Sequence, residues 1–382
     1  MKDLSRLLNK RKQENRYRQR EIVNSQQGVC IEIGQKRYTN FSSNDYLGLA
    51  NDINVIEAFR KGAEFFGAGS GAAHLITGHS SVHHDLEQAL AEHTGRARAL
   101  LFSTGYMANI GVITALCGRG DLVIEDRLNH ASLIDGGLYS GANFKRYAHA
   151  DMPALDKILQ SATEKERLIV TDGVFSMDGD IAPLNEIVDL AKNHNADVLV
   201  DDAHGLGVLG LRGAGICESL SLDKDDQPIL MATLGKAVGV FGAFVAGSEN
   251  LIEWLIQQSR TYVYTTATPP AVAAACLASL NIIQTQPERR EHLQELILQF
   301  RNGVEKLGLE LMPSETPIQP IVVGEEDRAL RWSEQLREQG LFVKAIRPPT
   351  VPQGTSRLRI TFSAAHSKQD VEKLLAVLST LK

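Results

Sequence analysis

A lysine set between small residues is the feature of this sequence that most strongly indicates chemistry. Lys236 stands between Gly235 and Ala237, a poor setting for a solvated surface charge. In a tight pocket, desolvation lowers the pKa of an amine and makes it a nucleophile toward aldehydes. Asp201 follows the apolar residues 198–200 and could keep a ring nitrogen protonated. The two residues predict a pyridoxal-phosphate (PLP) site, with Lys236 as the Schiff-base lysine and Asp201 as the partner of the pyridinium; the alternative is a strand cap and a surface acid.

A phosphate site is predicted where a strand meets a helix, at residues 103–106. Backbone N–H groups and the positive end of a helix bind phosphate there. Gly105 allows a close approach of the backbone, and Tyr106 offers its amide. Thr233, which lies three residues before Lys236, can reach the same phosphate. Without that lysine, a Thr-Gly pair in this position would indicate only a turn.

Five short motifs extend this pattern along the chain. They are FSTGYMAN at 102–109, NHAS at 129–132, FSMDGD at 175–180, DDAHG at 201–205 and TLGK at 233–236. In this order they resemble the α-oxoamine synthases, and the similarity runs from about Arg18 to the C-terminus. The resemblance implies a fold-type I PLP enzyme that condenses an amino acid with an acyl-CoA and releases carbon dioxide.

Two further segments bear on the substrates. Within the family, residues 40–49 (NFSSNDYLGL) and 345–352 (AIRPPTVP) favour L-alanine with a pimeloyl thioester of CoA or of acyl-carrier protein. The members that use glycine with acetyl-CoA or succinyl-CoA remain the alternative. Discriminating alanine from glycine needs only a methyl-sized pocket, which is worth about 1–3 kcal/mol, so the amino-acid preference need not be strict.

The resemblance also implies roles for individual residues around the cofactor. His130 is expected to stack on the PLP ring, His204 to hydrogen-bond its phenolic oxygen, and Ser176 to support that oxygen or the entering substrate. Thr265 or Thr266 is expected to reach the phosphate of a neighbouring subunit, so the resemblance implies a homodimer. The catalytic set is therefore Lys236, His130, Asp201 and His204.

The substrate-binding residues are expected to come from both ends of the chain. A guanidinium matches a carboxylate bidentately, so Arg359 is expected to clamp the amino-acid carboxylate. Arg357 is expected on the opposite face of the same strand. Arg18, Asn44 and Thr350 fall where the family contacts its substrates, and Arg18 is a candidate for the charged far end of the acyl chain.

Rival chemistries have weaker support in the sequence. Gly67, Gly69 and Gly71 resemble a dinucleotide fingerprint, but Ala72 replaces the third glycine and the loop follows a helical pattern, which disfavours an oxidoreductase. His79 and His83 have i, i+4 spacing that could suit a metal. With no further ligand motif, a polar helix start is favoured and no metal is expected.

Length and composition agree with an ordinary soluble enzyme. The chain has 382 residues, 43% of them hydrophobic and 23% charged, and a net charge of −6, which gives no basic footprint for nucleic acid. No apolar run approaches a membrane span, and no signal peptide is expected at the N-terminus. Four scattered cysteines without a CxxC pair favour reduced thiols in the cytoplasm.

Apolar runs of strand length alternate with helical stretches through the middle of the chain. The strands are expected at 99–102, 122–125, 168–171, 198–201, 229–233 and 243–246. This alternation predicts an α/β fold, with a mostly parallel sheet between helices, followed by a smaller C-terminal α+β domain. We expect an N-terminal helix (1–20) and hairpin within 1–41, a large PLP-binding domain at 42–284 and a small domain at 285–382.

Overall fold

The computed structural model describes residues 2–14, 16–222 and 226–381. Its N-terminal helix α1 spans Leu4–Gln13, and no residue of α1 is buried. Residues 16–20 are not helical, so the predicted helix over 1–20 is too long. A helix without a packed face lacks the tertiary contacts that stabilise most helices in proteins. A hairpin follows, with β1 at Cys30–Ile33 and β2 at Lys36–Asn40 paired in antiparallel fashion.

A seven-stranded sheet forms the centre of the molecule. Its strands are β3 (Arg98–Phe102), β4 (Leu122–Asp126), β5 (Asn143–Tyr147), β6 (Arg167–Asp172), β7 (Asp197–Asp201), β8 (Ile229–Thr233) and β9 (Ala243–Gly247). The spatial order is β3-β9-β8-β7-β6-β4-β5, and β9 alone runs in the direction opposite to the other six strands. The predicted mostly parallel sheet is therefore confirmed.

Helices cover both faces of this sheet, and two buried apolar clusters lie beneath them. They are α2 (Ile53–Phe66), α3 (Ser81–Thr94), α4 (Gly105–Leu116), α5 (Ala131–Ser140), α6 (Met152–Gln160), α7 (Leu184–Asn193), α8 (Ile216–Ser219), α9 (Glu249–Gln258), α10 (Arg260–Val263) and α11 (Pro270–Thr285). A π-helical turn, His74–Gly78, precedes α3. No helix within the described residues is long and apolar enough to cross a bilayer.

The C-terminal part builds a second, antiparallel sheet. It contains β10 (Ile318–Gly324), β12 (Lys344–Ile346) and β13 (Ser356–Thr361), with β13 in the middle. The short strand β11 (Leu341–Phe342) instead pairs parallel with β2, so residues 341–346 are divided between two sheets. The helices of this part are α12 (Glu288–Leu307), α13 (Glu326–Glu338) and α14 (Lys368–Leu378).

Candidate active site

The predicted chemistry gathers at one edge of the central sheet. Because every strand except β9 runs in the same direction, the carboxyl ends of β4, β6, β7 and β8 lie at that edge, where α/β proteins bind their ligands. Asp172 ends β6 and Asp201 ends β7, and the two residues are register partners. Both carboxylates are buried.

The two acids have different surroundings. Burial and the charge of Asp201 raise the pKa of Asp172 well above its usual range, although the backbone N–H of His130 donates to Asp172 Oδ2 at 2.6 Å. Asp201 accepts from Asn109 Nδ2 at 2.8 Å and from Ala203 N at 3.0 Å. Asp172 is therefore the acid of this pair that favours the protonated form, while the carboxylate of Asp201 is oriented by two hydrogen-bond donors.

Lys236 lies in the turn between β8 and β9, close to these acids. Burial lowers the pKa of its amine to about 8, against the charges of Asp201 and Asp172, which raise it. The Nζ atom lies 2.7 Å from Nε2 of His204. An amine with this pKa is partly uncharged near neutral pH and can attack an aldehyde.

A hydrogen-bonded chain leads from the lysine to the far side of the site. His204 Nδ1 lies 2.7 Å from the hydroxyl of Tyr46, which donates to Asn44 Oδ1 at 3.2 Å. Because this hydroxyl has one proton and gives it to Asn44, it accepts from Nδ1–H of His204. Nε2 is then unprotonated and accepts from Lys236, and Tyr46 thereby selects the tautomer of the imidazole.

Arg359 joins this chain from the C-terminal sheet. Its two terminal nitrogens each donate to Asn44 Oδ1 at 3.3 Å, and its Nε donates to the carbonyl of Ser176 at 2.6 Å. These hydrogen bonds hold the guanidinium in place. Two of its N–H groups share Asn44 Oδ1, which is a neutral and therefore weak acceptor. A carboxylate would be a stronger partner for them.

The expectation that Arg357 points away from Arg359 is wrong. Arg357 forms a buried ion pair with Asp178, two residues from the Ser176 carbonyl that Arg359 contacts. Side chains alternate along a strand, so residues i and i+2 share a face. Asp178 thus anchors β13 against this segment.

His130 caps the N-terminus of α5. Its Nδ1 accepts from Ser132 N at 3.3 Å and lies 2.7 Å from Ser132 Oγ, while desolvation lowers the pKa of the imidazole. Asn109 Nδ2 also donates to Ser132 Oγ at 2.8 Å. One network therefore orients both His130 and Asp201.

The predicted phosphate turn opens α4, as the sequence indicates. Thr104 Oγ1 caps the helix by accepting from Met107 N at 3.2 Å, and Gly105 is the first helical residue. The hydroxyl of Tyr106 donates to Asp135, and the backbone amide of Tyr106 lies at the start of the helix. Thr233 Oγ1 donates to the Gly242 carbonyl at 3.0 Å and accepts from Gly235 N at 3.2 Å, so it shapes the turn before Lys236.

Other predicted residues lie farther out. Thr266 is exposed and forms an isolated bridge with Ala73, and Thr265 is partly buried beside it. Arg18 is exposed in the non-helical segment 16–20. Thr350 is exposed too, and it lines a cavity of about 160 Å³ that Met177 and Arg357 also line. A larger cavity of about 470 Å³ borders the opposite ends of the strands, at residues 95–97 and 227–229, away from these groups.

Three residues at the centre were not identified from the sequence. Asp172 follows the apolar run 168–171 just as Asp201 follows 198–200, and this repeated pattern was a usable signal. Tyr46 and Asn109 lie within the quoted motifs, but nothing local indicates that their side chains meet His204 and Asp201.

Comparisons with known proteins agree with this geometry. Residues 36–378 match the family of class I and II aminotransferases. The 8-amino-7-oxononanoate synthase of Saccharophagus degradans is 59% identical over 379 residues, which cover 99% of this chain and 96% of that relative. A solved structure of SPT with PLP as an internal aldimine superposes with a TM-score of 0.95 at 32% identity, covering 100% of this chain and 98% of the other. The 8-amino-7-oxononanoate synthase structure from Francisella tularensis gives 0.78 at 30% identity, covering 90% and 97%.

Proposed function

The chain belongs to the class I and II aminotransferase family and to its 8-amino-7-oxononanoate synthases, and from this premise we propose that it makes 8-amino-7-oxononanoate for biotin synthesis. The substrates are L-alanine and a pimeloyl thioester, and the other products are carbon dioxide and the free thiol. The observation that carries the proposal is the 59% identity to such a synthase over 99% of the chain.

The residues of the site fit PLP as the cofactor. Lys236 supplies a carbonyl-reactive amine whose pKa burial lowers to about 8. The buried carboxylate of Asp201, which accepts from Asn109 and Ala203, suits a protonated ring nitrogen. The N-terminus of α4 at Gly105, with Thr233 beside the lysine, suits a phosphate. When bound, PLP supplies an electron sink for the charge that develops at Cα of the amino acid.

Arg359, Lys236 and Asp201 have separate roles in the proposed mechanism. Arg359 binds the carboxylate of alanine in place of Asn44, which fixes the direction of the Cα–H bond. Lys236 removes the Cα proton as a free amine and later returns a proton to the product. The carboxylate of Asp201, oriented by Asn109 and Ala203, would accept from the ring N–H of the cofactor and so keep the ring nitrogen protonated.

Bonds form and break in two stages. Cα of alanine forms a bond to the thioester carbonyl carbon, and the C–S bond breaks to release the thiol. The bond from Cα to the former carboxylate then breaks, carbon dioxide leaves, and a proton takes its place. His130, beside the phosphate turn, is proposed to stack on the cofactor ring, and His204 and Ser176 to contact its phenolic oxygen.

A substrate matrix tests the proposal. Purified enzyme is incubated with alanine, glycine or serine against pimeloyl-, succinyl- and acetyl-CoA and against pimeloyl-carrier protein, following thiol release. We expect alanine with a pimeloyl donor to give the highest kcat/KM, and Lys236→Ala to give none. A preference for glycine with acetyl- or succinyl-CoA would overturn the substrate assignment and leave the use of PLP in place.

We further propose that the active unit is a homodimer, because Thr266 is exposed on the single chain although the family resemblance assigns Thr265 or Thr266 to a phosphate. A chain carrying Lys236→Ala and a chain altered at both threonines are each expected to be inactive. After verified subunit exchange, mixed dimers should regain activity in one of their two sites. No recovery would mean that each chain builds its own site.

The outer residues and the division of the chain complete the proposal. Arg18 is proposed to meet the charged far end of the pimeloyl chain and Thr350 to line its path, so Arg18→Ala should raise KM for the pimeloyl donor and leave KM for alanine unchanged. An equal rise in both would contradict this role.

We propose residues 42–284 as the cofactor-binding domain and 285–382 as the small domain. The four cysteines are free thiols, which supports the cytoplasm as the compartment.

A further inference from the structure

A group of histidines lies around the start of α3. The sequence spacing singles out His79 and His83, but His83 is already engaged at both ring nitrogens. Its Nδ1 accepts from Ser80 N at 3.1 Å, and its Nε2 donates to the Thr268 carbonyl at 2.8 Å. His83 thus completes the capping box of α3 with Ser80 and belongs to the helix start, as the sequence favours.

A different set of side chains converges beside it. His79, His84 and Glu87 each offer one ligand atom, and these atoms lie within 4.8 Å of one another. His84 and Glu87 share a face of α3 because they are three residues apart. His79 Nε2 lies 3.9 Å from Glu87 Oε2. Two ligands of one zinc ion, each at about 2.0–2.2 Å in tetrahedral geometry, are roughly 3.3–3.5 Å apart, so a small side-chain shift closes this distance.

The groups behind these ligands are also in place. His79 Nδ1 lies 2.9 Å from Nδ1 of His74, which can accept the second ring N–H of His79. Glu87 Oε1 accepts from Leu101 N at 2.9 Å, which leaves Oε2 facing His79. Metal-binding histidines commonly donate their second N–H to such a partner, and ligating carboxylates are themselves hydrogen-bonded.

The three ligands lie at or near the surface of the molecule. His79 and His84 are exposed, so a fourth position remains open to water.

We propose that His79, His84 and Glu87 bind one divalent transition-metal ion, with zinc the best match to two imidazoles and a carboxylate. The proposal goes beyond the synthase activity and does not depend on it. The loop that carries His79 is tied to Thr266 by the bridge from Ala73, and α3 is tied to Thr268 by the hydrogen bond from His83. An ion here would therefore also hold this segment against α3.

Equilibrium dialysis of the untagged, chelator-treated holoenzyme against Zn²⁺, followed by metal analysis, tests the site. We expect one zinc per chain and a raised melting temperature when zinc is present. His84→Ala removes an exposed ligand, and Glu87→Gln keeps an acceptor for Leu101 N, so both should fold and lose the zinc. His74→Ala removes only the partner of a ligand and should weaken binding by about 10–100-fold.

His292→Ala is the control for the loss of one histidine. His292 lies outside the cluster, so this variant should bind zinc like the unaltered chain. Co²⁺ should show the visible absorption of a tetrahedral site, and excess Zn²⁺ should remove it. Absence of bound zinc, equal binding by His84→Ala and Glu87→Gln, or a matching loss in His292→Ala would each overturn the proposal.

Discussion

Replacing Tyr46 by phenylalanine isolates one hydroxyl in the centre of the site. The ring of Tyr46 is fully buried, so Tyr46→Phe preserves the packing. The hydroxyl alone connects His204 Nδ1, 2.7 Å away, with Asn44 Oδ1, 3.2 Å away. Without it, Asn44 still accepts from Arg359, but the Nδ1–H of His204 loses its acceptor.

The size of the effect follows from that loss. A buried polar group left without a partner costs about 1–3 kcal/mol, so the free energy of unfolding should fall by this amount. The imidazole is also released from its tautomer. When Nε2 carries the proton, it cannot accept from Lys236, and the charged form of the lysine loses a hydrogen bond. The pKa of Lys236, which burial lowers to about 8, should therefore fall further.

Three measurements follow. Urea unfolding gives the stability, the pH dependence of PLP incorporation into the apoenzyme gives the ionisation of Lys236, and steady-state kinetics gives kcat/KM for alanine. We expect the pH midpoint to move down and kcat/KM to fall about 10–100-fold, the equivalent of roughly 1.4–2.8 kcal/mol. Tyr147→Phe, which removes a buried hydroxyl on β5, serves as the control. Unchanged stability and an unchanged midpoint in Tyr46→Phe would refute the assigned tautomer.

Three further predictions concern charge and packing. Asp201→Asn should bind PLP yet lose exchange of the alanine Cα proton with solvent, followed by NMR; a normal exchange rate would move the ring-nitrogen role to another acid. Asp126 and Asp180 raise the pKa of His149 to about 10, above the 6.5 expected when unfolded, so its stabilisation is complete below pH 6.5 and is lost as pH rises toward 10. The stability gap between the unaltered chain and His149→Gln should shrink over that window, and a gap independent of pH would contradict it. Gly205→Ala would place Cβ 2.0 Å from a carboxylate oxygen of buried Asp202, so we expect a loss of several kcal/mol in urea unfolding, and a loss below about 1 kcal/mol would show that the loop adapts.

The sequence predicts best those features that depend on a single strand or a single residue type. Strands of the central sheet are buried on both faces and so appear as continuous apolar runs, whereas β5, an edge strand with the sequence NFKRY, does not and was not predicted. Lys236 and Asp201 were identifiable because their residue types are unusual in their local settings. The division of 341–346 between two sheets depends on which distant strands pair with it, and no local pattern reports that.

The residues that connect the site are a different case. Tyr46 and His204 are 158 positions apart, and Arg359 and Asn44 are 315 apart. Their meeting depends on the packing of the C-terminal sheet against the segment after β2. Thr361 N donates to the Phe41 carbonyl at 2.9 Å and Ala364 N to the Tyr46 carbonyl at 2.8 Å, contacts that only the folded chain brings together. Residue types alone could not predict them.

The pairing of the two chain ends has a consequence for the order in which the protein matures. The ribbon at 30–40 leaves the ribosome early, but its partners Leu341 and Phe342 emerge about 300 residues later. The part of the site built from residues 104–236 can assemble during synthesis, whereas Arg359 joins Asn44 only at the end. A nascent chain can therefore position Lys236 before Arg359 reaches Asn44. Chains truncated before residue 359 are left without this contact.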